Sequence, residues 1–144
     1  MTNFLSDIVK KSGNEYASIV SDGIGSSDIN SFCDTGSYSF NALLSGSMYG
    51  GMPDNKITAL AGESATGKTY FALGLVNKFL SDRPDGVVCY FDTENAISSD
   101  MIKERGIDPS RVAMLPVGTV EEFRHQTIQM VDNYLELPKK DRKP

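Results

Sequence analysis

The sequence predicts an α/β domain in which helices flank a parallel sheet. Short apolar runs typical of buried strands alternate with stretches of helical spacing. A glycine-rich loop at residues 62–67 lies between a predicted strand and a predicted helix. Because parallel strands need long crossover connections, this order favours right-handed strand–helix–strand units.

Size and composition favour one compact domain. The chain has 144 residues, of which 40% are hydrophobic and 23% charged, and this argues against wholesale disorder. Its 14 basic and 19 acidic residues give a net charge of −5, which argues against a surface that holds nucleic acid by bulk positive charge. No apolar run approaches the roughly 20 residues that a membrane span needs, so we expect no membrane partner.

The cysteines and the N-terminus favour a reducing, cytoplasmic compartment. Residues 1–7 lack the basic segment and the long apolar run of a secretory signal. Cys33 and Cys89 are far apart and match no metal-ligand spacing. Because Cys89 lies inside a continuous apolar run, we expect its thiol to be buried.

The first third of the chain is predicted to contain short helices separated by loops. Apolar residues recur through residues 3–20 and predict one or two short helices. Residues 21–39 are rich in Ser, Gly and Asp, which indicates a linker. A short apolar piece at residues 40–44 and a glycine-dense segment at residues 45–53 follow.

The strand–helix alternation begins after residue 56. Residues 57–61 predict a buried strand, residues 68–80 a helix, and residues 87–91 a second buried strand after a turn. The predicted helix has a stripe of core residues, namely Phe71, Leu75, Val76 and Phe79.

A short helix, a third strand and a long helix complete the predicted order. Ser98 or Ser99 can cap the short helix, and Gly106 ends it. The third strand is predicted at residues 112–115. In the long helix, Thr119 and Glu122 form a capping-box pattern, and Pro138 follows its end. Its expected apolar face consists of Val120, Phe123, Thr127, Met130, Val131 and Tyr134, and its lone His125 is interpreted as a surface or packing residue.

The strongest functional motif is a phosphate-binding loop. The pattern GxxxxGK[ST] is matched without exception by Gly62, Glu63, Ser64, Ala65, Thr66, Gly67, Lys68 and Thr69. Glycines let the backbone N–H groups approach the phosphates, Lys68 reaches the β- and γ-phosphates, and the Thr69 hydroxyl ligates Mg²⁺. A glycine-rich turn without a ligand is the weaker alternative. The motif therefore predicts nucleotide binding.

Two carboxylates follow the second predicted strand. Asp92 and Glu94 come directly after residues 87–91, and ligands of open parallel sheets bind outside such strand ends. A carboxylate there can orient a water for attack on the γ-phosphate. It can equally cap the following helix, and the spacing alone leaves both roles open.

The order of these motifs resembles RecA-type recombinases, in particular the UvsX recombinases of T4-like phages. The resemblance covers about residues 34–137 and rests on the segments Asp34-Thr35-Gly36-Ser37, Phe40 to Gly46, Gly50-Gly51-Met52, the phosphate loop, Tyr90 to Ile97 and Arg105 to Val112. It implies a RecA-like core that binds ATP and Mg²⁺ and acts as a DNA-dependent ATPase in strand exchange, recombination and repair.

The resemblance also implies roles for individual residues. Glu94 stands where family members use a glutamate to activate the hydrolytic water, beside Lys68 as the second catalytic residue. Met101 stands where the family often has an aromatic residue that stacks on adenine. Residues 3–20 correspond to a helix that packs on the neighbouring subunit of a filament; a hairpin folded on its own core is the equal alternative.

The expected organisation is an N-terminal arm and linker at residues 1–33 and part of a RecA-like core at residues 34–144. An apolar strand ending in a metal-binding Asp should follow the long helix, and none appears after residue 137. We therefore expect a truncated, inactive piece of a recombinase whose contacts with single-stranded DNA lie beyond Pro144.

Two other functions fit the same motifs. A ring helicase of RecA fold has the same loop and glutamate and assembles as a closed ring. If the 144 residues are the whole product, a non-enzymatic module that binds ATP and docks on a filament is the other alternative.

Overall fold

The computed structural model describes residues 2–24 and 27–142. Its contacts divide the chain into two compact units, Met1–Cys33 with Ser37–Ala59, and Asp34–Gly36 with Leu60–Pro144. The sequence places its boundary after residue 33 instead, and that assignment of an arm and a core stays a prediction.

The first unit is built from two short helices and a two-residue ladder. Its elements are α1 (Thr2–Lys11), a 3₁₀ turn (Val20–Asp22), β1 (Phe32–Cys33), α2 (Tyr38–Ser45) and β2 (Met52–Pro53). Strands β1 and β2 are antiparallel, with Phe32 opposite Pro53. The helix predicted near the N-terminus is confirmed as α1, and Gly13, with φ of 64°, follows its end.

Local polar contacts hold α2 in place. Ser37 caps it by accepting a hydrogen bond from the Phe40 amide, and Gly46 ends it in the left-handed conformation. The buried Asn41 side chain donates to the Met48 carbonyl at 3.0 Å. At Gly51 a Cβ atom would stand 2.1 Å from a backbone oxygen, so only glycine fits this close approach.

The second unit contains a parallel strand pair and three helices. Its elements are α3 (Lys68–Asp82), β3 (Val88–Asp92), α4 (Ser99–Glu104), β4 (Val112–Pro116) and α5 (Val120–Glu136). Strands β3 and β4 are parallel, in a register that runs from Val88 opposite Val112 to Asp92 opposite Pro116. The predicted α/β class is therefore confirmed as one parallel strand pair accompanied by helices.

The predicted helix caps are also confirmed. Ser98 caps α4 by accepting from the Met101 amide, and Gly106, with φ of 70°, follows the helix. Thr119 caps α5 by accepting from the Glu122 amide at 3.1 Å. The Glu122 carboxylate accepts from the amide of residue 118 rather than from that of the cap itself.

The core of this unit lies between α3, α4 and one face of the sheet. Its buried members are Leu73, Leu80, Ile102 and Ile107, against which pack Val76, Phe79, Val88, Tyr90, Ile97 and Val112. Within the predicted stripe on α3, Leu75 is buried and the other three residues are partly buried. On α5, the Phe123 ring meets Phe91 of β3 edge to face at 4.9 Å, although none of the described α5 residues is fully buried.

The strand predicted at residues 57–61 is wrong. These residues are not assigned to a strand, and the Ile57 side chain is fully exposed. A strand exists only where a neighbouring backbone completes its ladder, and among the described residues no ladder includes this segment. Its apolar composition is therefore insufficient to make it a strand here.

The buried position predicted for Cys89 is also wrong, because this thiol is exposed. Side chains alternate along a strand, so Val88 and Tyr90 face the core while Cys89 points to the opposite face. That face lines an open cavity together with residues of α5, including Gln126 and Met130. An apolar run predicts burial on both faces only where both faces are covered.

No helix in the described ranges combines the length and the apolar character needed to cross a membrane.

Arg111 ties the C-terminal end of α3 to both strands. Its side chain donates to the carbonyl of Leu80 at 3.0 Å, to that of Gly86 at 2.9 and 2.6 Å, and to that of Arg83. These carbonyls belong to the end of α3 and to the turn before β3, and Arg111 itself directly precedes β4. One planar guanidinium therefore fixes three chain segments at once.

We expect Arg111→Ala to lower the free energy of unfolding by about 2–4 kcal/mol, because partly buried carbonyls lose charge-assisted hydrogen bonds. Arg111→Lys should recover only part of the loss, since an ammonium cannot reproduce the planar arrangement of N–H donors in a guanidinium. Urea unfolding followed by circular dichroism measures this, with Arg124→Ala on the exposed surface of α5 as control. Equal stability of Arg111→Ala and the parent chain would contradict the role.

Candidate functional site

The phosphate-binding motif forms a loop that leads directly into α3. Ala65 and Gly67 adopt left-handed conformations, with φ of 61° and 88°. Such conformations curl successive backbone N–H groups into a concave run that binds anions. Gly67 is the N-cap of α3 and supplies no side-chain hydrogen bond, so the helix begins without a side-chain cap. A left-handed alanine is strained, which is common where a loop is shaped for a ligand.

Lys68 folds back over this loop. Its ammonium donates to the Gly62 carbonyl at 2.9 Å and to the Glu63 carbonyl at 2.6 Å. The Thr66 hydroxyl donates to the same Glu63 carbonyl at 2.8 Å. The Lys68 side chain thus extends from the start of α3 back to the beginning of the loop.

The sequence-predicted loop residues are adjacent and accessible. The loop consists of Gly62, Glu63, Ser64, Ala65, Thr66 and Gly67, all exposed, and α3 begins with the half-buried Lys68 and the exposed Thr69. Among the described residues no group of three or more His, Cys, Asp or Glu could hold a metal ion. The Thr69 side chain lies in the first turn of α3, directly after Lys68.

Asp92 shapes the turn after β3. The residue is only 8% exposed, and its carboxylate accepts from the amides of Glu94 at 3.0 Å and Ile97 at 3.4 Å. Neither Asp92 nor Glu94 caps α4, because Ser98 has that role. The capping alternative left open by the spacing is therefore wrong for both carboxylates. Glu94 is exposed, on a turn whose backbone Asp92 fixes.

Tyr90 lies on β3 two residues before this turn. Its ring packs against the core, and burial, followed by the nearby Asp92 carboxylate, raises the pKa of its hydroxyl above the usual 10.0. Both effects disfavour the tyrosinate, so the Tyr90 side chain is neutral where it packs against the core.

Met101 lines a cavity of about 480 Å³ between α3 and α4. The wall is formed by Tyr70, Leu73, Gly74, Asn77, Met101, Glu104 and Arg105. The guanidinium carbon of Arg105 lies 3.5 Å from the centre of the Tyr70 ring. The Asn77 side chain donates to the Arg105 carbonyl at 2.8 Å and joins the two helices.

The sequence pattern points to Met101, but it does not identify the other residues that line the same cavity. Tyr70, Gly74 and Asn77 are spaced by four and three residues, so they lie on one face of α3 just after the motif. This spacing in the sequence could have indicated that the three residues share one wall of the cavity. The position of Arg105 over the Tyr70 ring depends on the fold. The remaining candidate, His125, is exposed on α5 as expected.

Two curated relatives match part of this chain. It is 34% identical over 92 residues to "Recombination and repair protein" of Enterobacteria phage T4, a match that covers 64% of this chain and 23% of the relative. It is 31% identical over 83 residues to "Protein RecA" of Malacoplasma penetrans (strain HF-2), covering 58% of this chain and 23% of the relative. No family model matches the chain.

These matches confirm the resemblance to RecA-type recombinases that the motif order predicts. The matched part is under a quarter of the length of either relative. What the whole relatives do therefore bears on this chain only as a proposal.

Replacing the Asp92 carboxylate should loosen the turn that presents Glu94. In Asp92→Ala the amides of Glu94 and Ile97 lose their acceptor, and we expect their hydrogen exchange to accelerate by about tenfold. Amide exchange followed by NMR measures this, with Asp100→Ala on the exposed side of α4 as the matched carboxylate control. Unchanged protection of both amides would show that the turn holds without Asp92.

Proposed function

We propose that this chain is the ATP-binding N-terminal part of an ATP-dependent DNA recombinase with a RecA-like core. The observation that carries the proposal is the loop at residues 62–67, whose left-handed residues lead into α3 and whose carbonyls hold the Lys68 ammonium. The recombination and RecA names of its relatives favour a recombinase over a ring helicase of the same fold.

In this proposal the triphosphate is held by the loop backbone and by Lys68. When ATP binds, the ammonium exchanges the carbonyls of Gly62 and Glu63 for oxygens of the β- and γ-phosphates. The N-terminal end of α3 adds its positive dipole, because its first amides are not capped by a side chain.

Magnesium is the proposed cofactor beside ATP, and Thr69 is the residue that would hold it. A bound magnesium ion neutralises charge on the phosphates. The Thr69 hydroxyl is exposed in the first turn of α3, adjacent in sequence to Lys68, so both side chains serve the same phosphates.

Glu94 is the proposed general base. Its carboxylate is exposed on the turn after β3, at the end of the strand where ligands of parallel sheets bind. It accepts a proton from the attacking water while Lys68 balances charge on the phosphates. Asp92 contributes by fixing the backbone of the turn, and its buried carboxylate is not the base.

The proposed partners are further copies of the protein and single-stranded DNA. The arm at residues 1–33 supplies α1, whose Phe4, Leu5 and Ile8 are at least half exposed and suit packing against a neighbouring subunit. The core begins at residue 34, and DNA is contacted mainly by regions beyond Pro144. The protein acts in the cytoplasm, that of the bacterial host if it is phage-encoded.

Lys68→Ala should weaken ATP binding by about tenfold to a hundredfold, because one charge-assisted hydrogen-bond donor to the phosphates is lost. Titration of the 144-residue chain with ATP and Mg²⁺ by calorimetry measures the affinity. Lys78→Ala is the matched control, since this lysine lies on the same helix ten residues further on and pairs with Asp34 at 3.1 Å. Equal ATP affinity of Lys68→Ala and the parent chain would overturn the loop assignment.

Glu94→Gln tests the hydrolytic role in the full-length recombinase. The amide keeps the size of the side chain but cannot take the proton, so DNA-dependent ATP turnover should fall by about 10²- to 10⁴-fold. ATP binding should be unchanged, which a direct binding titration checks. Glu121→Gln, an exposed glutamate in the first turn of α5, is the control. Normal turnover in Glu94→Gln would remove Glu94 from the mechanism.

A further inference from the structure

We propose that Tyr70, held by Arg105, is the residue that stacks on the base of the bound nucleoside triphosphate. This inference rests on the proposed function and deepens it, because it assigns the cavity between α3 and α4 to the base. It moves the aromatic contact from position 101 to the residue that directly follows Thr69 of the phosphate loop.

The Tyr70 ring is largely exposed at the start of α3. Tyr70 lies in the first turn of α3, two residues after Lys68, and is the residue of the cavity wall that is nearest in sequence to the phosphate loop. The residue is 67% exposed, although a guanidinium lies 3.5 Å from the ring centre on one side. Much of the ring surface is therefore accessible to a second flat group.

The Arg105 guanidinium stacks on one face of the Tyr70 ring. A cation over one face of an aromatic ring fixes its orientation and makes its opposite face a better stacking partner. Asn77 donates to the Arg105 carbonyl and so fixes the end of α4 against α3. The ring is thereby held before any base arrives, which lowers the entropy lost on binding.

Gly74 lies one turn beyond Tyr70 on the same wall of the cavity. Glycine inside a helix is unfavourable, yet this one does not have a positive φ, and a Cβ built on it would meet nothing within 4 Å. Neither backbone strain nor packing explains it. A missing side chain at this point leaves room for a flat base.

Met101 completes the cavity from α4. A thioether is flexible and adapts to the edge of a ring, but it offers no flat face. Met101 is thus a side wall in this arrangement, and the stacking contact comes from Tyr70 on the facing helix.

The test compares two ligands that share phosphates but differ in the base. ATP and inorganic tripolyphosphate, each with Mg²⁺, are titrated into the 144-residue chain by calorimetry. Tyr70→Leu removes the ring and should weaken the affinity for ATP about tenfold, which corresponds to the loss of one base–aromatic stack. The affinity for tripolyphosphate should be unchanged. Tyr70→Phe keeps the ring and should bind both ligands as the parent does.

Two further variants sharpen the result. Gly74→Leu places a side chain in the cavity, and leucine also favours the helix. This variant should bind ATP more weakly than the parent chain does but should bind tripolyphosphate equally well. Tyr38→Leu, at a 70% exposed tyrosine of the first unit, is the matched control and should change neither affinity.

Each remaining outcome contradicts a specific claim. Unchanged ATP affinity in Tyr70→Leu overturns the stacking role and leaves the proposed function intact. Equal weakening of ATP and tripolyphosphate also overturns it, because the ring would then act on the phosphate loop rather than on the base. If the parent chain binds neither ligand, the proposed function fails first and this inference fails with it.

Discussion

The hydrogen bonds of one arginine set the frame on which the candidate site is built. The Arg111 guanidinium donates hydrogen bonds to carbonyls at the end of α3 and in the turn before β3, and the Arg111 backbone continues into β4. The helix that begins at the phosphate loop and the two parallel strands therefore share one fixed point. Since a helix is stiff over its 15 residues, fixing its C-terminal end also restricts the end that bears Lys68.

The opposite end of the sheet is organised by Asp92. Its buried carboxylate fixes the turn that exposes Glu94, while Ser98 begins α4 independently. The two carboxylates at the end of β3 thus differ: that of Asp92 fixes the backbone of the turn, and that of Glu94 remains accessible. The Asp92 carboxylate is buried and accepts from two amides, whereas Glu94 is exposed to water.

Much of this was predictable from sequence because it depends on local chemistry. The phosphate loop, the caps of α4 and α5 and the strands β3 and β4 follow from motif, side-chain hydrogen bonds and apolar runs. The failures concern neighbours distant in sequence. Residues 57–61 have the composition of a strand without a ladder partner, and Cys89 lies on the less covered face of its strand. The pairing of Tyr70 with Arg105 depends on how α3 packs against α4, which periodicity alone does not encode.

Every proposed role at this site depends on residues 62–69 holding the phosphates of ATP. The most direct measurement is an NMR titration of the isotope-labelled 144-residue chain with ATP and Mg²⁺, in which the amide signal of each residue is followed. We expect the largest shifts at the amides of residues 62–69, with smaller shifts around Tyr70 and Met101. Saturable ATP binding that leaves the amides of residues 62–69 unshifted, or no binding at millimolar ATP, would contradict this assignment.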